Sequence, residues 1–153
     1  MTAFMRKLFK MMAHWAPGND LRVALLRKCG YQIGSEVYVG QGLVIADKLE
    51  DSGADVRIGN RVSIGPNVTI VTASSPNKSR LAPIVGVTRG RVVIDDDAWI
   101  GAGAILLPGV TVGAMSIVGA GAVVNQDIPP RCLAVGVPAK VVRQIEAPDE
   151  SKP

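Results

Sequence analysis

Aromatic residues are scarce in this chain: 4% of its 153 residues, against 48% hydrophobic overall. A core of Val, Ile, Leu and Ala with so few rings must be thin and regular. That points to a repeat architecture rather than an ordinary sandwich. Histidine is scarcer still. His14 is the only one, so a zinc site built on three histidines is excluded. The two cysteines, Cys29 and Cys132, are far apart and lack metal-ligand spacing. They read as free thiols of a reducing cytoplasm, and no metal is expected. No stretch reaches 18 apolar residues, so no membrane span is expected. The basic N-terminus has Lys10 and His14 interrupting its apolar stretch and no clean cleavage site, so it does not read as a signal peptide. The net charge of +4 comes without a basic stripe interleaved with aromatics, and no nucleic-acid partner is expected.

What the chain does have is a period of six. Stepping by six from Ile94 gives Ile100, Leu106, Val112, Val118 and Val124. Stepping back from Ile70 gives Ile64 and Ile58, in phase with the later run. An earlier run, Ile33, Val39 and Ile45, is out of phase by one residue, so one extra residue must be absorbed in the loop between 46 and 57. Four residues after each aliphatic comes a second inward candidate: Val37, Leu43, Val62, Val68, Ala98, Ala104, Val110, Ser116 or Ala122. A strand alternates its faces with period two, and six residues make one short strand and one tight turn. Three such units turn the chain through a full circle, and successive coils stack by ladder hydrogen bonds. Glycine often follows the aliphatic, as at Gly34, Gly59 and Gly101, and is expected to free the corner backbone. Pro66 and Pro108 suit corners as well. This is the hexapeptide repeat of a parallel β-helix. The stretch 73–91 keeps phase without the pattern and reads as an excursion from one corner.

Before the first coil, Leu21, Ala24, Leu25 and Lys28 follow helical spacing, with Asn19 or Asp20 as a cap and Gly30 as a stop. Further upstream, Phe4, Leu8, Met11, Met12 and Trp15 fit one helical face, with Arg6, Lys7 and Lys10 elsewhere. That apolar face is expected to pack on the β-helix or a neighbouring subunit. A peripheral membrane contact is the sharper alternative.

Residues 92–143, "VVIDDDAWIGAGAILLPGVTVGAMSIVGAGAVVNQDIPPRCLAVGVPAKVVR", resemble the hexapeptide-repeat acyltransferases. The nearest branch is the sugar O-acetyltransferases of the galactoside, maltose and nodulation-factor type. The motifs that carry the resemblance are Trp99-Ile100-Gly101, Pro108-Gly109-Val110, Asp127-Ile128-Pro129-Pro130, Gly136-Val137-Pro138-Ala139 and Arg143. It extends over 33–145. It implies an all-β fold, a left-handed parallel β-helix over 33–145, with an N-terminal helical segment at 1–32 and a short flexible tail at 146–153. It also implies a homotrimer whose acetyl-CoA lies in a groove between two neighbouring β-helices. By position, coenzyme A contacts fall on Ala102, Ala120, Asn125, Gln126, Lys140 and Arg143. Asn125 and Gln126 depart from the family's Thr-Lys, which removes one cation.

The family's catalytic histidine stands 24 residues before the tryptophan and precedes a proline. Here that position is Ser75, followed by Pro76. A serine cannot take the proton of an attacking hydroxyl at neutral pH, a step for which an imidazole base contributes ~10²–10⁴-fold. An amine carries its own lone pair and needs no base to begin attack. Asp47, Asp51 and Asp55 in the off-register loop, Asn77 in the excursion, and Trp99 are candidates for acceptor contacts. The expected function is acetyl transfer from acetyl-CoA to a hydroxyl or amine of a sugar or nucleotide sugar, in surface polysaccharide synthesis. The alternative is an inactive β-helix that binds coenzyme A or serves as an assembly module.

Overall fold

The computed structural model describes residues 1–48 and 53–146. Two helices come first, α1 (Ala3–Trp15) and α2 (Asn19–Lys28). The first coil carries β1 (Gln32–Ile33), β2 (Tyr38–Val39) and β3 (Val44–Ala46), and the second β4 (Val56–Ile58), β5 (Ser63–Ile64) and β6 (Thr69–Val71). The excursion holds β7 (Ala73–Ser74), a single turn α3 (Ala82–Val85) and β8 (Thr88–Arg89). Two more coils follow: β9 (Val92–Ile94), β10 (Trp99–Ile100) and β11 (Ile105–Leu106), then β12 (Thr111–Val112), β13 (Ile117–Val118) and β14 (Val123–Val124). β15 (Cys132–Val135) and β16 (Lys140–Gln144) close the chain.

The strands stack into three sheets that form the sides of a prism. The first is β1-β4-β9-β12, the second β2-β5-β10-β13-β15-β16, and the third β3-β6-β11-β14. All pairs on these sides are parallel except β15–β16, which is antiparallel. The parallel β-helix read from the repeat is therefore present. Ile94 pairs with Val112 on the next coil, 18 residues on, which is three repeats. Ile33 pairs with Ile58 and Ile45 with Ile70, 25 residues on. The off-register loop thus adds one whole repeat plus the one extra residue that the phase shift demanded.

The side chains at both inward positions of each repeat fill the prism. Ile58, Ile64, Ile70, Ile94, Ile100 and Leu106 are all buried, and so are Val62, Val68, Ala98, Ala104 and Ala122. Burying one such aliphatic stabilises by about 1.5–3 kcal/mol, and the repeat multiplies that gain coil by coil. Ser116 is the polar exception inside. Its hydroxyl donates to the Pro129 carbonyl at 2.7 Å and accepts from the Cys132 amide at 3.2 Å. Cys29 and Cys132 are both buried free thiols.

The glycines after the aliphatics have a different job from the one expected. Gly34, Gly59 and Gly101 do not adopt the left-handed region. A Cβ on Gly101 would stand 2.5 Å from the Ala120 amide nitrogen of the next coil, so the coils stack too closely there for any side chain. The left-handed residue comes two places later, and the chain accepts Glu36, Arg61, Asp97 and Met115 there as readily as Gly103 or Gly121.

The helices reverse one part of the expectation for the N-terminal segment, packing of its apolar face on the chain's own β-helix. The apolar face of α1 points away from the coils: Phe4 is 75% and Trp15 68% exposed, and Met11 and Met12 are exposed too. Arg6 and Ala13 are buried instead. In α2 the buried residues are Arg22, Val23, Leu25 and Leu26, while Leu21, Ala24 and Lys28 are exposed. The helix starts after Gly18, and Asn19 reaches out of it rather than capping it.

The reason lies in the first coil. Its upper edge has no strand to pair with, so its carbonyls need donors. Lys10 donates to the Ile45 carbonyl at 2.7 Å, and Arg6 to those of Cys29 and Lys48. Arg22 donates to Val39 and Ala16 carbonyls at 2.8 Å. Asn19 donates to the Val37 carbonyl and accepts from the Val39 amide. The Gly42 amide donates to the His14 carbonyl, and His14 Nδ1 lies 3.3 Å from the Leu43 carbonyl oxygen. Polar side chains are drawn inward because the coil end is polar, and the apolar stripe is left outside.

Candidate functional site

Ser75, Asn77, Asp47 and the neighbouring Lys48 gather at the corner between the third and first sheets. Together with Ala73 and Ser74 they line a cavity of about 300 Å³. The Ser75 hydroxyl donates to Asn77 Oδ1 at 2.8 Å. β7 and β8 pair antiparallel and hold the base of the excursion here, through Ala73–Arg89 and Ser74–Thr88.

Asp47 does not offer a carboxylate to that cavity. Its side chain is 2% exposed and carries ion pairs from both Arg6 and Lys10. The Tyr31 hydroxyl donates to Asp47 Oδ2 at 2.7 Å. Burial, and then the neighbouring carboxylate, push the Tyr31 hydroxyl far above its usual range. This differs from the expected role of Asp47 as an acceptor contact. The carboxylate is needed where Arg6 is buried and Lys10 half-buried, and it ties α1 to the first coil. Asp51 lies outside the described residues. Asp55 is half-buried, and its carbonyl accepts from the Val92 amide at 2.8 Å.

The remaining candidates stand elsewhere on the prism. Trp99 lies on β10 in the second sheet, 55% exposed, rather than packed at a corner. Its strand is two positions from β2, whose Tyr38 is exposed on the same side. Ala102 and Ala120 are exposed, one above the other, at the corner between the second and third sheets. The Gly121 amide bonds the Ala102 carbonyl at 2.8 Å, and the Gly103 amide bonds that of Pro66 at 2.9 Å. These small residues leave an open column along the stack. Lys140 is exposed on β16 opposite Val135, beside this corner, because Gly136 and Ala139 bond the two ends of the Val123 peptide. Arg143 is exposed further along β16, opposite Leu133.

Asn125 and Gln126 are exposed at the next corner, after β14, on the side where the excursion leaves the stack. The candidates thus form two groups. Ser75, Asn77, Asn125 and Gln126 share one corner. Trp99, Ala102, Ala120, Lys140 and Arg143 share the second sheet and its far corner. One chain does not bring the two groups together.

Sequence reasoning did not find the donors that cap the first coil: Arg6, Lys10, Asn19, Arg22 and Tyr31. Arg6 and Lys10 are spaced four apart on a helix with no acidic residue, which was the available signal. Among the described residues no group of histidine, cysteine or carboxylate side chains could hold a metal. None of the described helices is long and apolar enough to cross a membrane.

Residues 91–126 match the family described as "Bacterial transferase hexapeptide (six repeats)". The chain is 39% identical over 116 residues to the galactoside O-acetyltransferase of Lactococcus lactis, covering 76% of this chain and 54% of that one. Its structure resembles a maltose O-acetyltransferase of Clostridium difficile with TM-score 0.67 and 30% identity, over 94% of this chain and 84% of that one. It also resembles a hexapeptide-repeat acetyltransferase of Vibrio cholerae, solved with acetyl coenzyme A. There the TM-score is 0.68 and the identity 27%, over 95% of this chain and 87% of the other. The chain belongs to the hexapeptide-repeat transferases, on the branch similar to the galactoside and maltose O-acetyltransferases. It spans about half the length of the curated relatives it matches.

Proposed function

We propose that this protein transfers an acetyl group from acetyl-CoA to a sugar or nucleotide sugar, in surface polysaccharide synthesis, and that its working form is a homotrimer of left-handed coils. The observation that carries the reading is the open column at Ala102 and Ala120 with exposed Lys140 beside it and Arg143 further along the same strand. Small side chains there fit a pantetheine arm, which needs close approach to backbone amides. Lys140 and Arg143 suit its phosphates, as paired cations do. Acetyl-CoA supplies the activated acyl group; this chain's part is to hold it and aim the acceptor at it. The split of the candidates between two corners supports a cleft made by two copies, one giving Ser75 and Asn77 and the other Trp99 and the alanine column. The excursion, with Leu81, Ile84 and Val85 exposed at its tip, suits burial against a neighbour.

The acceptor nucleophile is an amine. Ser75 stands where the resemblance expects a histidine, and Asp47 is consumed by two cations, so neither can take a proton from a hydroxyl. An amine attacks through its own lone pair, displaces the coenzyme A thiolate, and sheds its proton to water afterwards. Thiol release from acetyl-CoA, measured against panels of amino sugars and neutral sugars, tests this. Turnover with amino sugars alone is the expected outcome. Ser75→His is expected to add turnover with hydroxyl acceptors, by up to about 10²-fold if the base is well placed. Wild-type turnover confined to hydroxyl acceptors would overturn the amine reading. No turnover with bound cofactor would favour the second reading, a coenzyme A-binding module, which the missing base also supports.

A further inference from the structure

We infer that the outward face of α1 is a docking surface for an anionic lipid bilayer. The stripe Met1, Phe4, Met5, Met11, Met12 and Trp15 is exposed, and it lies opposite the helix face that carries Arg6, Lys10 and Ala13 onto the coil. Among the described residues nothing covers it, and at one border Met11 and Trp15 also line a groove against Leu43 and Val44 of the first coil. The burial is the reverse of an ordinary surface helix, where the apolar side goes inward. An interfacial helix has this form: a short apolar stripe of ring and thioether side chains with cations at its border.

Charge chooses the occupant. No acidic residue precedes Asp20. Lys7 is exposed on α1 and lines, with Phe4, Leu8 and Met11, a shallow hollow in the stripe of about 260 Å³. Arg27 and Lys28 are exposed on the adjoining α2, and the Lys28 ammonium sits 5.7 Å from the Phe9 ring centroid. Cations bordering an apolar stripe match a layer of phosphate headgroups over acyl chains. Charge also argues against a second copy as the occupant: two such faces brought together would set Lys7, Arg27 and Lys28 of each against the same cations of the other, with no acidic residue before Asp20 to pair with them.

The placement has a functional consequence. Arg6 of α1 holds Asp47 and the Lys48 carbonyl, and both residues line the Ser75 cavity. A docked α1 would hold that cavity near the lipid surface, where an acceptor anchored in lipid would present its headgroup. Lipid docking itself needs neither acetyl-CoA nor turnover, so it stands or falls apart from the acetyl-transfer reading.

Flotation of the full chain with vesicles tests it. Vesicles of phosphatidylglycerol and phosphatidylcholine in equal parts should carry the protein up, and phosphatidylcholine vesicles should carry much less. Phe4→Glu with Met11→Glu should cut recovery at least about tenfold, since stripe burial drives insertion, while leaving the melting temperature unchanged. Lys7→Glu with Lys28→Glu should weaken binding most at low salt, where the attraction is least screened. Trp15 emission should shift to the blue on anionic vesicles, and the shift should vanish in Trp15→Phe. Failure of the wild type to float, or equal flotation of the Phe4→Glu/Met11→Glu variant, overturns the proposal. So does a fall in solution mass caused by that variant without any vesicle binding, which would make the face an interface between copies.

Discussion

The coils and the cap that closes them obey opposite burial rules. In the coils from Val92 to Val124, every inward position of the repeat is apolar except Ser116, and each is buried. In the cap, α1 buries Arg6 and exposes Phe4 and Trp15. The difference comes from what each region packs against. An inner strand has its backbone paired above and below, so only side chains remain to be desolvated. The first coil is paired on one edge only. The carbonyls of Val37, Val39, Leu43 and Ile45 on its open edge would cost more unpaired than a few exposed apolar side chains. Arg22 and Lys10 satisfy those of Val39 and Ile45, Asn19 and His14 serve those of Val37 and Leu43, and Asp47 pairs with the charge that Arg6 and Lys10 bring.

The sharpest way to break this comparison is at Asp47. Asp47→Ala takes the carboxylate away from two cations in the cap and should destabilise by about 3–5 kcal/mol. Phe4→Ser, on the same helix's apolar face, should change stability by no more than about 0.5 kcal/mol. Thermal or urea unfolding of the two variants measures both. If Phe4→Ser were the costlier, the cap would follow the ordinary rule after all. In the coils the order is reversed. Leu106→Ala should cost about 3 kcal/mol, whereas Ile105→Ala, on the outside of the same strand, should cost far less in the isolated chain.

A smaller effect is readable in alkali. The Tyr31 hydroxyl is held protonated by burial and by Asp47, so its folded pKa lies above the unfolded value near 10. Its contribution is complete below that value. Stability then falls as pH rises past about 10, because the unfolded chain releases the proton first. Tyr31→Phe should lower stability at neutral pH and remove that part of the alkaline slope. A parallel slope in wild type and variant would show that Tyr31 does not face Asp47.

The sequence was most legible where one rule acts alone. Period six located all three sides of the prism, and even the phase slip between Ile45 and Ile58 appears as an inserted loop. It was less legible where a residue serves a neighbour far along the chain. Gly101 is required by Ala120, 19 residues on, and not by its own backbone angles. Asp47 is fixed by Arg6, Lys10 and Tyr31, which no local pattern connects to it. The resemblance proposed the candidate site residue by residue. Its division between two corners was not legible, because a spacing says which residues recur and not which side of the prism each faces.

Titration of acetyl-CoA into the purified chain by calorimetry, beside Lys140→Ala/Arg143→Ala, tests the functional reading most directly. Saturable binding by the wild type, one cofactor per chain, lost or weakened at least about tenfold in the double variant, is the predicted result. No binding at about millimolar cofactor, an interaction of only ~4 kcal/mol or less, would contradict it.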